Sequence, residues 1–166
     1  MLVLSALPEK IGREWIAKHI PHAGAMCLID NVKSWDRGGI HCATSTHQRR
    51  DNPLRAQGRL GAFCGIEYAA QAMAIHGAIL RTQQATGLAP DLPVQGYLAA
   101  VRDVQCHMEH LDMLAQELEI VATRLAALAG GAIYHYDICH GSQVLQTGRV
   151  TLMVAGAATA SPGADT

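Results

Sequence analysis

Glu67 is the residue best placed to do chemistry. It lies in the segment AFCGIEYAAQAMAIHGAILR, residues 62–81, where Glu67, Gln71 and His76 are the only strongly polar positions before the closing Arg81. Burial disfavours an ionised carboxylate, so a glutamate set among Ile66, Ala69 and Ala70 is expected to have a raised pKa and to suit general-acid work. Gln71 follows four residues later, which on a helix places both side chains on one face. A glutamate that only favours the helix dipole is expected at an exposed first turn; one inside an apolar run points instead to a functional site.

The histidines divide differently. His76 lies about two and a half turns beyond Glu67 and reads as a hydrogen-bonded core residue. His107, His110 and Asp112 have a spacing that suits a metal ion, but no third close ligand on a defined element accompanies them. His135 and His140 read as ordinary strand residues. Five cysteines occur singly, without a C-x-x-C pair, and read as reduced thiols of a cytoplasmic protein.

The elements that must position these residues follow from pattern and punctuation. Residues 8–18 read as a short helix with Pro8 in its first turn, ended by Pro21. Residues 26–35 and 39–47 read as two strands joined through Asp36–Gly39, and residues 48–61, with Pro53, Gly58 and Gly61, as a loop. Residues 62–81 form a helix apolar on nearly every side, the mark of a buried helix. After a loop at 82–93 come strands at 95–106, 115–127, 131–140 and 144–154, with Gly130–Gly131 and Gly141–Ser142 as hairpin signals. Strands around one long buried helix imply an α+β fold with the helix packed on an antiparallel sheet, and dimerisation would cover the helix face left open.

The chain has 166 residues, 49% hydrophobic and 16% charged, with a formal net charge of −1. This is the composition of one globular domain, placed at residues 1–155, with 156–166 expected to be a disordered tail. The balance gives no electrostatic reason to expect nucleic acid as a partner, and no apolar run reaches the roughly 20 residues of a membrane span. A cytoplasmic location is expected.

Three motifs in consistent order resemble those of the β-hydroxyacyl-acyl carrier protein dehydratases: IPHAGAMCLIDNV at 20–32, AFCGIEYAAQAMA at 62–74 and GYLAAVRDVQCHMEHLD at 96–112. With GRV at 148–150, the combination looks most like the branch associated with aryl polyene pigment clusters. The resemblance implies a hot-dog fold, an antiparallel sheet wrapped around one long central helix. It implies a role in eliminating water from a β-hydroxyacyl thioester, with Glu67 serving the hydroxyl side. The backbone N–H groups of Ala62, Phe63 and Cys64 would then face the thioester carbonyl, Gln71 would support the site, and His22 would sit near the substrate entrance, hydrogen-bonded to backbone.

The family's other catalytic residue is a loop histidine fourteen residues before the helix carboxylate; here that position is Pro53, and the nearest histidine is His47. In hot-dog dehydratase dimers the two residues of one site come from opposite subunits. The chain is therefore expected to act as a homodimer or, with a histidine-bearing second hot-dog dehydratase, as a heterodimer. The alternatives are a hot-dog acyl thioesterase, in which the helix carboxylate activates water, and a non-catalytic acyl-carrier binding subunit. An acyl carrier protein bearing the substrate on its phosphopantetheine is the expected partner, docked by Arg49, Arg50, Arg55 and Arg59, and no cofactor is expected.

Overall fold

The computed structural model describes residues 7–84 and 95–155; the expected tail at 156–166 and most of the expected loop at 82–93 lie outside them. Two α-helices and six strands form in the order α1 (Arg13–His19), β1 (Asn31–Trp35), β2 (Gly39–Thr44), α2 (Gly65–Gln84), β3 (Gly96–Cys106), β4 (Leu118–Leu128), β5 (Gly131–His140) and β6 (Gln143–Val154). The strands make one antiparallel sheet in the order β1-β2-β4-β5-β6-β3. The expected α+β architecture, one long helix against an antiparallel sheet, is therefore the observed one.

Alanine and unbranched residues favour α2 as a helix, and tertiary burial holds it there. Tyr68, Met73, Ile75 and Ile79 are buried from α2; Leu118, Ile120, Tyr136 and Ile138 meet them from the sheet in one continuous core. The helix begins where it does because Gly65 lets it approach β6. A Cβ at Gly65 would stand 2.5 Å from Gln146 Oε1 and in contact with Ile138. Gln146, itself fully buried, donates from Nε2 to the Ala62 carbonyl at 2.9 Å and accepts from the Tyr136 hydroxyl at 3.1 Å. A side chain of the sheet thus anchors the turn that leads into α2.

Several elements are shorter than the sequence pattern predicts. The second strand ends at Thr44, before a 3₁₀ turn at Thr46–Gln48, and β4 starts at Leu118, not at 115. The first helix and first strand differ most. The first helix starts at Arg13, not near residue 8, because the preceding segment pairs with β1: Val32 donates to the Ile11 carbonyl and Gly12 bridges to Asn31. Its end is as expected, with Ile20 extended before Pro21. The first strand starts at Asn31, not at residue 26. Gly24–Met26 forms a 3₁₀ turn, and side chains take up the backbone groups of Leu28: its N–H donates to Gln71, and its carbonyl accepts from Thr44 and Thr46. That exchange ties residues 24–30 to α2 and to the end of β2 through side chains, with Asp30 N–H alone reaching a β2 carbonyl, that of Ala43, in place of a continuous strand ladder. The hairpins β4–β5 and β5–β6 turn at Gly130 and Gly141, both at positive φ.

The sheet leaves β3 as an edge strand, with Tyr97, Leu98 and Val101 exposed along it. No helix among the described residues is long and apolar enough to cross a membrane.

Candidate active site

Glu67 stands in the first turn of α2 and is held by one oxygen. Oε1 accepts from Gln71 Nε2 at 3.1 Å and lies 3.0 Å from His22 Nε2. Oε2 has no hydrogen-bond partner among the described residues and is not buried, and both Glu67 and His22 line a cavity of about 630 Å³. Gln71 is fully buried and fixed at both ends of its amide: Oε1 accepts from Leu28 N–H at 2.8 Å, and Nε2 also donates to the Met26 carbonyl at 2.7 Å. The amide cannot rotate without losing backbone partners, and this gives the carboxylate a fixed position.

His22 arrives from the other side, on the link between α1 and the 3₁₀ turn at Gly24–Met26. The expected backbone hydrogen bond is not what holds it. Its Nε2 faces the Glu67 carboxylate, and its Nδ1 is buried without a partner. Pro21 pins the chain direction at the end of α1 and thereby carries the ring across to α2. The sequence contains the pair, at a separation of 45 residues, but no local signal shows that the ring turns inward.

The expected rise in the Glu67 pKa is also reversed. Burial does push the carboxyl upward, but hydrogen bonding by His22 and Gln71 and the His22 charge outweigh it, and the pKa lies below the ordinary value. At neutral pH the carboxylate is ionised.

Ala62, Phe63 and Cys64 precede α2 instead of opening it, and the N–H groups of Ala62 and Cys64 are not free for a thioester carbonyl. They form a 3₁₀ turn ahead of α2, in which Ala62 N–H donates to the Glu109 carbonyl at 2.8 Å and Cys64 N–H to Gly61 at 3.1 Å. Those two N–H groups are occupied and do not face the Glu67 cavity. The Phe63 side chain is 70% exposed, an apolar ring in water one turn from Glu67.

At the position of the missing loop histidine, Pro53 is exposed and follows Asn52, which is buried. Asn52 donates to the Tyr68 hydroxyl at 2.9 Å and the Thr46 carbonyl at 3.0 Å, and accepts from Leu54 N–H at 3.0 Å, which folds the chain around the proline. His47 is buried nearby with Nε2 on the Leu114 carbonyl, and burial lowers its pKa. It cannot reach the Glu67 cavity, whose described histidines are His19 and His22.

The remaining candidates resolve into structure. His76 is fully buried, its Nε2 2.7 Å from the Asp36 carbonyl and its Nδ1 2.8 Å from the Tyr134 hydroxyl. Among the described residues no group of His, Cys, Asp and Glu is arranged to hold a metal; Asp112 instead accepts from Arg59 and Leu60 N–H and lies 3.5 Å from Arg55. Two of the four loop arginines are thus tied into the loop, with Arg55 donating also to the carbonyls of Arg49, Gly58 and His47. Cys27 and Cys42 are buried and all five thiols are free; burial pushes Cys42 up to about 12, which makes it inert at neutral pH.

Among solved structures, the dehydratase heterocomplex ApeI:P from Xenorhabdus doucetiae is similar to this chain, with a TM-score of 0.73 and 23% identity over 84% of this chain and 90% of that one. A mutant thioesterase from Pseudomonas aeruginosa is similar with a TM-score of 0.50 and 10% identity, over 75% of this chain and 79% of its own. A mutant thioesterase from Staphylococcus aureus subsp. aureus Mu50 gives 0.51 and 10%, over 74% and 90%. At these identities the likeness shows the hot-dog fold. Among curated proteins none matches the chain. The profile of the ApeP-like family, described as ApeP dehydratase, matches residues 14–161, and so includes the α1 link that carries His22, the start of α2 that carries Glu67 and all six strands. The chain belongs to the ApeP-like dehydratase family.

Proposed function

We propose that this chain takes part in the dehydration of a β-hydroxyacyl thioester carried by an acyl carrier protein, with Glu67 serving the departing β-hydroxyl. The observation that carries the reading is the asymmetry of its carboxylate beside the cavity: Oε1 is anchored by Gln71 and His22, while Oε2 is unburied and has no partner among the described residues. In the reaction a base removes the α-proton, the electrons of that bond form the Cα=Cβ double bond, and the hydroxyl leaves as water with a proton supplied from the site. Elimination of this kind requires no redox carrier or metal. Glu67 is ionised in the free chain, so it takes up a proton before it can give one. A bound thioester and a partner subunit that dehydrate the side chain move its pKa in that direction.

The α-proton needs a base, and we assign it to a second hot-dog subunit. His22 directs Nε2 at the carboxylate and its Nδ1 is buried, so it presents no free lone pair to substrate. Pro53 occupies the loop position where the family carries its histidine. The exposed Phe63 ring and the open edge of β3 support a covering partner, and the similar Xenorhabdus structure is itself a heterocomplex. The setting we assign is aryl polyene-type biosynthesis in the cytoplasm. The test is to purify the chain alone and together with a dehydratase encoded beside it, and to follow dehydration of a β-hydroxyacyl carrier protein. Activity in the mixture only is the expected result; full activity of the isolated chain would overturn the heterodimer.

One observation favours a second reading. A carboxylate ionised at neutral pH can activate water directly, the chemistry of a thioesterase. Thioester hydrolysis by the isolated chain that disappears in Glu67→Gln would establish it. Persistence of both activities in Glu67→Ala would leave the chain as a carrier-binding subunit.

A further inference from the structure

The Glu67 cavity continues as a groove along α2 past Ala70, Ala74 and Gly77 to Arg81, a stripe of side chains on one helix face. Small residues keep it open, and at Gly77 the missing side chain has a specific use. A Cβ there would stand 3.2 Å from Arg81 Nη1, so the guanidinium lies back over Gly77. Ten residues separate positions 67 and 77, which places this charge about 15 Å along the axis from the carboxylate. Arg124 joins it from β4, beside a bulge between Arg124 and Ala126 and directly across from Tyr134 on β5, and it also lines the groove.

Neither arginine has a carboxylate within salt-bridge distance, nor any hydrogen bond from its guanidinium, among the described residues. Tyr134 does not supply the missing charge. Its hydroxyl is engaged with His76, and burial pushes it up to about 12 against the pull of Arg124 and Arg81. Two cations therefore line one cavity, both close enough to the neutral Tyr134 phenol to act on it and neither neutralised by a carboxylate among the described residues. Guanidinium groups arranged in this way suit an oxyanion, through charge-assisted and bidentate hydrogen bonds.

We propose that Arg81 and Arg124 form an oxyanion subsite that holds the charged end of a thioester-borne ligand while its reactive carbons lie at Glu67. The inference rests on the reading of Glu67 given above. Two sources carry this chemistry, the phosphate of the pantetheine arm and a carboxylate at the far end of the acyl chain, and matched probes separate them.

The experiment measures dissociation constants by calorimetry for the full chain with phosphopantetheine against pantetheine, and with an S-acyl pantetheine ended by a carboxylate against the same chain ended by a methyl group. The charged member of one pair is expected to bind about tenfold tighter or more, with the gain shrinking as salt rises. A gain in the first pair assigns the arm phosphate, and a gain in the second assigns the acyl terminus. In the Arg81→Gln, Arg124→Gln double variant the gain should vanish, and Arg81→Lys should keep part of it. Arg37→Gln, outside the groove, should keep all of it. Equal affinities within both pairs, or a gain that survives the double variant, would overturn the subsite. Glu67→Gln separates the two readings, because it should remove turnover and leave the anion gain intact. A wild-type chain that shows the gain without any dehydration, alone or with its partner, counts against the function and not against the subsite.

Discussion

Two histidines organise the two ends of the groove in opposite ways. At the Tyr134 end, His76 is saturated: Nε2 must donate to the Asp36 carbonyl, so Nδ1 accepts the Tyr134 proton, and burial keeps the ring neutral. At the Glu67 end, His22 has one nitrogen against a carboxylate and the other buried without a partner. An unpaired buried nitrogen is destabilising and persists only where the surrounding structure imposes it. The contrast separates a strut from a working residue: His76 holds a strand side chain in place, whereas His22 sets the electrostatics of the carboxylate beside it.

Four substitutions and one titration press on that contrast. The largest effect is expected from Glu67→Gln in the assembled dehydratase, a loss of about 10²- to 10⁴-fold in turnover, typical of a lost acid–base group. Initial rates on a carrier-bound substrate measure it, and a loss below tenfold would remove Glu67 from the chemistry. His22→Ala should cost less in rate but change the carboxyl itself. With the lowering contacts of His22 gone and burial remaining, the Glu67 titration midpoint moves up, which carbon-detected NMR of the labelled carboxyl reads directly. An unmoved midpoint would make His22 a strut like His76.

Stability variants sharpen the other side. Gln71→Leu strands Leu28 N–H and the Met26 carbonyl, at a cost of about 2–4 kcal/mol in urea unfolding. His76→Phe strands the Tyr134 hydroxyl and the Asp36 carbonyl and should cost about 1–3 kcal/mol, with a smaller loss of turnover than His22→Ala. The smallest effect is a pH slope. Burial lowers the pKa of His47 and His76, so the unfolded chain binds more protons than the native one below about 6.5. Stability is then fully present above that pH and falls as pH drops toward the native pKa values; the slope should be shallower in His76→Phe. A flat unfolding free energy between pH 7 and 5 would contradict the buried neutral rings.

The sequence is most legible where one helix face carries the information. Glu67 and Gln71 are four residues apart in an apolar run, and their shared face and mutual contact follow from helical spacing alone. The α+β architecture is legible for the same reason, since six β patterns and one apolar helix leave few packings, although the strand order itself is not. What escaped depends on partners remote in the chain. His22 reaches Glu67 across 45 residues, Asp112 captures Arg55 and Arg59 across more than 50, and neither pairing leaves a periodic trace. Composition alone gives the wrong sign for the Glu67 pKa, because it shows the burial and not the donors that oppose it. The resemblance likewise turns the N–H groups of Ala62 and Cys64 toward substrate, but the α-helix starts at Gly65 and the turn before it bonds to its own neighbourhood.

The open margin of β3 has a consequence for synthesis as well as for assembly. The edge of β3 that faces away from β6, along a strand of eleven residues with Tyr97, Leu98 and Val101 in water, forms a template onto which an extended peptide can add. Under the proposed pairing with a second hot-dog subunit, a copy made before that companion carries the template bare and is a seed for wrong pairing. Matched production of the two would then be a condition of staying dispersed, and a surplus of this chain should show itself first as precipitate.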